Sequence, residues 1–430
     1  MNRPRSTRRT FLMNSAATVT ATSALTSLEL SRSAYAGGSD LIRIGLVGCG
    51  GRGTGAAEQA LTADSNVKLV AMADVFPDQI EGSLGTLKGS GVGTKVEVTN
   101  ENKFAGFDGY KGVIENVDLV LLTTPPGFRS LHFAHAVEKG KHTFVEKPMA
   151  VDGPTLRSFL ETARISKDKG LSAVNGFCWR YHIPRRETMK QVFDGAIGKI
   201  VAIETTYNSP GVWEPRRTRN ECKSEMEFQL RNWYYHDWLS GDHIVEQAVH
   251  GIDTMGWAMG DKLPEKCWAV GGRQARTDAK YGNIWDHFSV VYEYPNNVRG
   301  YHHCRHWPNT ASQVKDYILG TNGTADVFGN KIEGENKWRY RNTENQEFNM
   351  YQKEHDEMFA AIRAGKPINN AEQGGLSSLL AIMGRMAAYT GQVITPEMAL
   401  QSQEALVPAT FDWGDAPQRP VPVPGVTKFF

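Results

Sequence analysis

Residues 41–53 read LIRIGLVGCGGRG, a mostly apolar run that passes directly into a glycine-rich turn. The run at 41–47 predicts a buried strand of a parallel sheet. An Ala-rich segment beginning near Gly55 predicts a helix directly after the turn. A strand, a G-x-G-x-x-G turn and a helix in this order are typical of a dinucleotide-binding unit.

The turn and the next strand supply the expected cofactor contacts. Three glycines of the turn permit a tight bend, close approach of the backbone to a pyrophosphate, and close helix–strand packing. The helix start offers free N–H groups to phosphate. Asp74 ends the next apolar run and would accept hydrogen bonds from the adenosine ribose, which favours NAD and leaves NADP possible. The predicted contacts are Gly48, Gly50, Gly51, Arg52, Gly53 and Asp74. The alternative is a glycine-rich turn without a ligand.

Apolar runs alternate with helical stretches as far as about residue 176, and then the pattern changes. The first part predicts a doubly wound parallel sheet of the α/β class, with strands at 41–47, 67–73, 117–124, 143–145 and 171–174. Beyond it, short strands separated by turn signals predict a second α/β domain with a large, mostly antiparallel open sheet, from strands at 200–207, 266–270, 288–294, 299–303 and 317–320. Apolar spacing at 351–390 predicts helices.

Composition excludes several classes of protein. The 430 residues are 40% hydrophobic and 22% charged, with a net charge of +1, as in an ordinary globular protein of two or three domains. The chain has no excess of basic residues that would indicate a nucleic-acid partner. Five scattered cysteines are too few for a disulfide scaffold. The histidine-rich patterns around His243 and His302 match no zinc spacing, so we assign no metal site.

Residues 1–36 differ from the rest of the chain. Thr7-Arg8-Arg9-Thr10-Phe11-Leu12 resembles the twin-arginine export signal, and Ala34-Tyr35-Ala36 offers a cleavage site. Cleavage removes five Arg and one Glu, which leaves a net charge of −3. We therefore expect a periplasmic protein, exported folded and without stable membrane insertion. The alternative is an uncleaved membrane anchor, which the many Ser and Thr residues of the segment disfavour.

The most specific block of the chain lies between residues 123 and 148. Thr123-Thr124-Pro125-Pro126, then His132, Gly140-Lys141-His142 and Glu146-Lys147-Pro148 resemble the Gfo/Idh/MocA family of nicotinamide-dependent oxidoreductases over residues 41–400. The resemblance implies a Rossmann domain paired with an α/β domain whose open sheet often mediates oligomers, so a homo-oligomer is expected. The resemblance also implies five further cofactor contacts: Thr124, Pro125, His132, Glu146 and Lys147.

The same resemblance implies a catalytic set. In the family, the lysine of the Glu-Lys-Pro motif stabilises charge on the substrate oxygen, and this role carries over to Lys147. Family members also carry an Asp and a His four residues apart, and here Glu246 and His250 have that spacing, which would place them on one helical face. His250 is the candidate general base. Because Glu246 replaces an Asp, it either orients His250 or binds substrate.

Four more residues are candidate substrate contacts. Arg180 lies near the expected domain junction, where the sequence also resembles that of the family. A polar insertion from Ser209 to Asp242 carries aromatic rings beside His and Asp, a combination that suits a sugar. Packing in a core or an oligomer contact is the alternative for this cluster. The candidates are Arg180, Tyr235, His236 and Asp237.

The expected organisation and function follow from these observations. The predicted parts are a signal peptide (1–36), an NAD(P)-binding Rossmann domain (37–176), a substrate and oligomerisation domain (177–350), helices packing back on the core (351–400) and an extended tail (401–430). The expected activity is hydride transfer between tightly bound NAD(P) and a secondary hydroxyl of a sugar, cyclitol or related polyol. The alternatives are an NAD-dependent glycoside hydrolase using transient oxidation and elimination, and a non-catalytic NAD-binding sensor.

Overall fold

Two β-sheets organise the computed structural model, which describes residues 40–343 and 347–429. The predicted export signal lies outside these residues. The described residues from Arg43 onward group into one compact unit that holds both sheets except Ile42, the first residue of β1. The predicted fold class, a parallel doubly wound sheet followed by a large antiparallel one, is confirmed.

The first sheet has six parallel strands in the order β3-β2-β1-β4-β5-β6. Its strands are β1 (Ile42–Val47), β2 (Val67–Asp74), β3 (Lys103–Ala105), β4 (Leu119–Leu122), β5 (His142–Val145) and β6 (Ala173–Asn175). The strand order reverses between β1 and β4, and a crevice at such a point binds ligands in α/β proteins. The short β3 has no apolar run and escaped sequence-based prediction.

Helices connect and cover this sheet. They are α1 (Gly51–Ala63), α2 (Pro77–Gly89), α3 (Gly109–Asn116), α4 (Arg129–Glu138), α5 (Gly153–Asp168) and α6 (Ile183–Phe193). The predicted helix near Gly55 therefore begins at Gly51, inside the glycine-rich turn. Its first turn contains no acidic residue and no side chain caps it, so its N–H groups remain available to a ligand.

The second sheet has eight strands in the order β14-β13-β12-β11-β7-β10-β9-β8. They are β7 (Ile200–Ser209), β8 (Lys266–Gly272), β9 (His287–Glu293), β10 (Arg299–His306), β11 (Gln313–Gly320), β12 (Gly323–Asp326), β13 (Lys331–Gly334) and β14 (Trp338–Arg339). All of its pairings are antiparallel except that of β7 with β10. The three strands at the β14 edge, each of two to four residues, were not predicted.

The remaining helices pack on this framework. They are α7 (Glu225–Arg231), α8 (Asp237–Ser240), α9 (His243–Glu246), α10 (Val249–Ala258), α11 (Met350–Arg363), α12 (Ala371–Thr390) and α13 (Pro396–Gln401). The long helix α12 is buried along most of its length and packs against α5, α10 and β8. In the part of the chain that the structure describes, no helix combines the length and apolarity needed to cross a bilayer.

A C-terminal segment, residues 402–429, follows α13 without regular structure and supports the loop after β2 and the loop after β3. Phe411 stacks on Phe107 with ring centroids 5.8 Å apart, and Trp413 lies 4.9 Å from Phe107 and 5.6 Å from Phe76. The predicted extended tail therefore packs against rings that, as described below, line the main cavity.

Candidate active site

A cavity of about 780 Å³ lies at the crevice between β1 and β4. Its volume is in the range of small-molecule and cofactor sites. The glycine-rich turn and Asp74 contribute to one part of its lining, and Lys147, Glu246 and His250 to another. The structure thus brings the predicted cofactor contacts and the predicted catalytic set into one cavity.

The glycine-rich turn has the geometry that a pyrophosphate needs. Gly48 has φ +97°, and a Cβ there would lie 2.6 Å from the Thr124 nitrogen. A Cβ on Gly53 would lie 1.9 Å from the Gly48 carbonyl oxygen. Gly50 and Gly51, by contrast, have no atom within 4 Å of a Cβ position, so they face open space in the cavity. A ligand can therefore approach the backbone at the start of α1.

Asp74 lies at the end of β2 and is held by the backbone. One carboxylate oxygen accepts a hydrogen bond from the Cys49 N–H at 2.8 Å and the other from the Phe76 N–H at 3.0 Å. Burial raises the pKa of Asp74, and these two hydrogen bonds oppose the shift. Each oxygen keeps acceptor capacity toward the cavity, as a ribose hydroxyl pair requires. Together with the turn, Asp74 fits a bound dinucleotide.

Glu146 and Arg52 join the turn to the C-terminal helices. The Arg52 guanidinium donates to Glu146 at 2.5 Å and to Glu354, on α11, at 3.1 Å. Glu146 also accepts the Lys147 N–H at 3.1 Å. Arg52 is therefore compensated by two carboxylates, and its pKa lies above its usual range chiefly because of them, against the effect of burial.

The remaining predicted cofactor contacts lie after β4. Thr124 and Pro125 line the cavity, and the Thr124 hydroxyl is 3.3 Å from Nδ1 of His132. His132 stacks on Tyr110 with ring centroids 4.2 Å apart. Burial lowers the pKa of His132 to about 3, so its imidazole is neutral. A neutral ring therefore lines the cavity here without adding charge.

Lys147 follows β5 and is fixed by Glu246. Its Nζ donates to the Glu246 carboxylate at 2.9 Å and to the Glu246 carbonyl oxygen at 2.5 Å. Both side chains are largely buried, with 13% and 15% exposed. An ammonium group has three hydrogens, so one remains for a substrate oxygen. Of the two roles left open for Glu246, the structure shows neither; its carboxylate contacts Lys147.

His250 lies on α10 and faces the same cavity. Its ring stacks on Trp179 at 4.9 Å, and its Nδ1 is buried without a hydrogen-bond partner among the described residues. Burial, and then the nearby Lys147, lower the pKa of His250 well below its ordinary value. The imidazole is therefore neutral, and its unpartnered ring nitrogen is free to accept a hydrogen bond. The predicted single helix is divided, since α9 ends at Glu246 and α10 begins at Val249.

The candidate substrate contacts do not line this cavity. Arg180 is engaged by Asp253 and Asp261 at 2.9 and 2.6 Å. The Tyr235 hydroxyl donates to the Trp213 carbonyl oxygen. His236 and Asp237 line a separate cavity of about 490 Å³ on the other side of α7. The short helical turns between 233 and 240 direct adjacent side chains to different sides, which the sequence pattern did not resolve.

Gln247 and Tyr207 line the cavity and were not predicted. The Gln247 Oε1 accepts hydrogen bonds from the Tyr234 hydroxyl at 3.3 Å and from His306 Nε2 at 2.7 Å. Its amide nitrogen is then left to donate to the Tyr207 hydroxyl, an interaction that lowers the pKa of Tyr207, whereas the larger effect of burial raises it to about 12. Tyr207 thus stays protonated and offers its hydrogen to the cavity. A glutamine beside the predicted Glu246 was the only sequence signal.

The histidines considered as metal ligands have other partners. His302 bonds Thr205 at 2.8 Å, and His306 bonds Gln247 and Arg276. Across residues 40–343 and 347–429, no three His, Cys, Asp or Glu side chains form a group able to hold a metal. All five cysteines are free.

Comparison with known proteins gives two family matches. The family described as "Oxidoreductase family, NAD-binding Rossmann fold" matches residues 42–177, and "GFO/IDH/MocA C-terminal domain" matches residues 186–326. The chain is 25% identical over 258 residues to inositol 2-dehydrogenase 3 of Saccharopolyspora erythraea, which covers 60% of this chain and 64% of that protein. It is 25% identical over 171 residues to glycosyl hydrolase family 109 protein 1 of Bacteroides fragilis, covering 39% and 35%.

The solved structures agree on the fold. An aldose-aldose oxidoreductase from Caulobacter crescentus, solved with glycerol, superposes with a TM-score of 0.64 at 17% identity, over 83% of this chain and 99% of that one. The matched part spans between about a third and two-thirds of the length of the curated relatives.

Proposed function

Because the chain belongs to the GFO/IDH/MocA family of oxidoreductases, we propose that it is an NAD-dependent enzyme acting on a secondary hydroxyl of a sugar, cyclitol or related polyol. The observation that carries this proposal is the single cavity in which Lys147 and His250 meet the glycine-rich turn. The inositol dehydrogenase relative supports a polyol as the substrate class.

The residues of the cavity divide the chemistry between them. Bound NAD would accept or supply a hydride at its nicotinamide ring. The free hydrogen of the Lys147 ammonium donates to the substrate oxygen and stabilises the negative charge that develops on it. The neutral His250 accepts the hydroxyl proton during oxidation and returns it during reduction. Glu246 holds the ammonium in place through its carboxylate and its carbonyl oxygen.

Cofactor release tests the proposal directly. The full chain is first purified in its folded state. It is then denatured, and the nicotinamide released is measured per chain. We expect a near-stoichiometric amount, because the C-terminal segment backs the rings that line the cavity. The folded protein is then mixed with a panel of sugars and inositols, and the fluorescence of bound reduced nicotinamide is recorded. A protein that neither carries nor binds nicotinamide would refute the proposal, and nicotinamide binding without hydride transfer to any compound would favour the sensor alternative.

A second candidate function is redox-assisted glycoside hydrolysis. It is supported by the match to a glycosyl hydrolase family 109 protein. Its signature would be release of the aglycone from an aryl glycoside without net reduction of nicotinamide. If no aryl glycoside releases its aglycone and free polyols are turned over, the hydrolase function is excluded and the oxidoreductase function is supported.

We further propose that the enzyme is exported folded to the periplasm with its cofactor in place. The support is the twin-arginine pattern at Arg8 and Arg9. An exported enzyme needs a tightly held cofactor, since free NAD is scarce outside the cytoplasm. Replacing both arginines by lysine should keep the protein in the cytoplasm, and unchanged fractionation would contradict this part of the proposal.

The outer face of the second sheet supports a homo-oligomer. Trp268 and Tyr301 both lie opposite Val291 and so share one face, and Val270 lies two residues along β8. Their exposed fractions are 42%, 37% and 61%. Such exposed apolar side chains favour burial against a second copy. Light scattering should show an oligomer for the wild type and loss of that oligomer for Trp268→Glu. A monomeric wild type would contradict the proposed oligomer.

A further inference from the structure

The outer wall of the cavity carries an arginine that the chemistry above does not use. Trp213, Arg216 and Arg217 belong to the insertion 209–242 and line the cavity that also holds Lys147 and Glu246. The positions of these side chains decide which part of a bound substrate they would meet.

The backbone at Arg216 is fixed by a buried asparagine. The Asn232 Oδ1 accepts the N–H groups of Arg216 and Arg217 at 2.7 and 3.2 Å. The Asn232 Nδ2 donates to the Arg217 carbonyl oxygen at 2.9 Å. Asn232 is fully buried, so these three bonds hold the loop on the core. The Arg216 guanidinium lies over the Trp213 ring, 4.2 Å from its centroid.

Arg216 differs from its neighbours in having no acidic partner. Arg217 lies 3.7 Å from Glu221, and Arg231 forms a bidentate pair with Asp78 at 2.7 Å. Within the described ranges, Arg216 makes no ion pair with any carboxylate, and its stacking on Trp213 leaves the planar fork of donors free. A free guanidinium fork matches a carboxylate or phosphate.

A chain of contacts places Arg216 on the substrate side. Trp213 packs edge-on against Tyr234 at 6.1 Å, and the Tyr234 hydroxyl donates to Gln247. Gln247 follows Glu246, which holds Lys147. The adenosine end of a bound dinucleotide would lie at Asp74, where the nearby Arg231 is already neutralised by Asp78. These contacts therefore connect Arg216 to the part of the cavity lining that carries the catalytic lysine.

We infer that the substrate is an acidic sugar, whose carboxylate pairs with Arg216 while its reacting hydroxyl lies at Lys147. This inference rests on the proposed oxidoreductase function and names its substrate class. The same guanidinium chemistry would suit the pyrophosphate of the cofactor, and the experiment separates the two anions.

The test compares acidic and neutral sugars of the same configuration. Binding of D-glucuronate against D-glucose and of D-galacturonate against D-galactose is measured by calorimetry on the full chain loaded with NAD. At least one acid should bind ten-fold or more tightly than its neutral partner. Arg216→Gln should remove that preference, and Arg216→Lys should restore part of it. Arg219→Gln, on the same segment but paired with Glu225 outside this cavity, should change nothing.

Two outcomes would overturn the inference. In one, no acid binds more tightly than its neutral partner, or the preference survives in Arg216→Gln. In the other, Arg216→Gln lowers the nicotinamide content of the purified protein and leaves sugar preference unchanged, which assigns Arg216 to the pyrophosphate. Failure of the proposed function itself is distinguishable, because the wild type would then either bind no nicotinamide or bind it without hydride transfer to any compound of the panel.

Discussion

Replacing Lys147 by Met separates the catalytic role of the ammonium from its structural role. In this variant the Glu246 carboxylate and carbonyl oxygen both lose a donor in a largely buried setting. An acceptor left unsatisfied in this way costs about 1–3 kcal/mol, so the loss of a donor at two acceptors should lower the free energy of unfolding by about 2–6 kcal/mol. Turnover should fall by about 10²–10³, as when one donor to a developing oxyanion is removed.

The double variant Lys147→Met/Glu246→Gln makes the prediction sharper. A neutral amide needs no cation, so most of the lost stability should return, while the donor to the substrate oxygen is still missing and turnover should not recover. Urea unfolding followed by tryptophan fluorescence measures stability, and reduction of bound nicotinamide by the best compound of the panel measures turnover.

A matched control and two results decide the outcome. Lys139→Met removes a half-exposed lysine that pairs with Glu115 at 3.6 Å, and it should change stability by less than about 0.5 kcal/mol. The reasoning is refuted if the double variant regains turnover, because the ammonium is then dispensable. It also fails if the single variant is as stable as wild type, because the pair with Glu246 then contributes nothing.

Three further predictions concern the cofactor site and acid stability. Asp74→Asn removes the charge that repels a 2′-phosphate, so calorimetry on cofactor-free protein should show the NADP-to-NAD affinity ratio rising about tenfold, and an unchanged ratio would contradict it. Gly53→Ala places a Cβ 1.9 Å from the Gly48 carbonyl oxygen and should lower the free energy of unfolding by about 1–3 kcal/mol, whereas Gly55→Ala meets only ordinary contacts and should not. Burial lowers the pKa of His302 to about 3, so the unfolded chain takes up a proton there below about pH 6.5 and the folded chain does not. Acidification should therefore lower the free energy of unfolding by about 1.4 kcal/mol per pH unit through this residue. The urea midpoint of His302→Gln should fall less steeply with decreasing pH than that of wild type, and an equally steep fall would contradict the prediction.

Local rules were enough for the cofactor half of the cavity. The bend at Gly48, the close packing at Gly53 and the position of Asp74 follow from steric requirements that act within one strand–turn–helix unit. The same holds for Lys147, because the carboxyl end of a parallel strand always points to the crevice. These residues could be placed without knowing how the second sheet packs.

The substrate half depends on contacts between distant segments, which periodicity does not report. Spacing predicted one helix through Glu246 and His250, whereas the structure divides it into α9 and α10. Both side chains line the cavity, and the Glu246 carboxylate contacts Lys147, a partner that spacing could not report. His236 and Asp237 are near neighbours of lining residues in sequence but face another cavity. Arg216, which does line the main cavity, is held there by Asn232, sixteen residues away.

The aromatic packing of the C-terminal segment also bears on the order of events in the cell. Phe411 and Trp413 support Phe107 and Phe76, which belong to loops that leave the ribosome some three hundred residues earlier. During translation the nascent chain would therefore present a nucleotide cleft without its backing, and a dinucleotide that entered could leave again. We therefore expect lasting capture only after residue 413 has emerged and packed, so that loading would follow translation and a chain cut short upstream of Phe411 should be released from synthesis without cofactor.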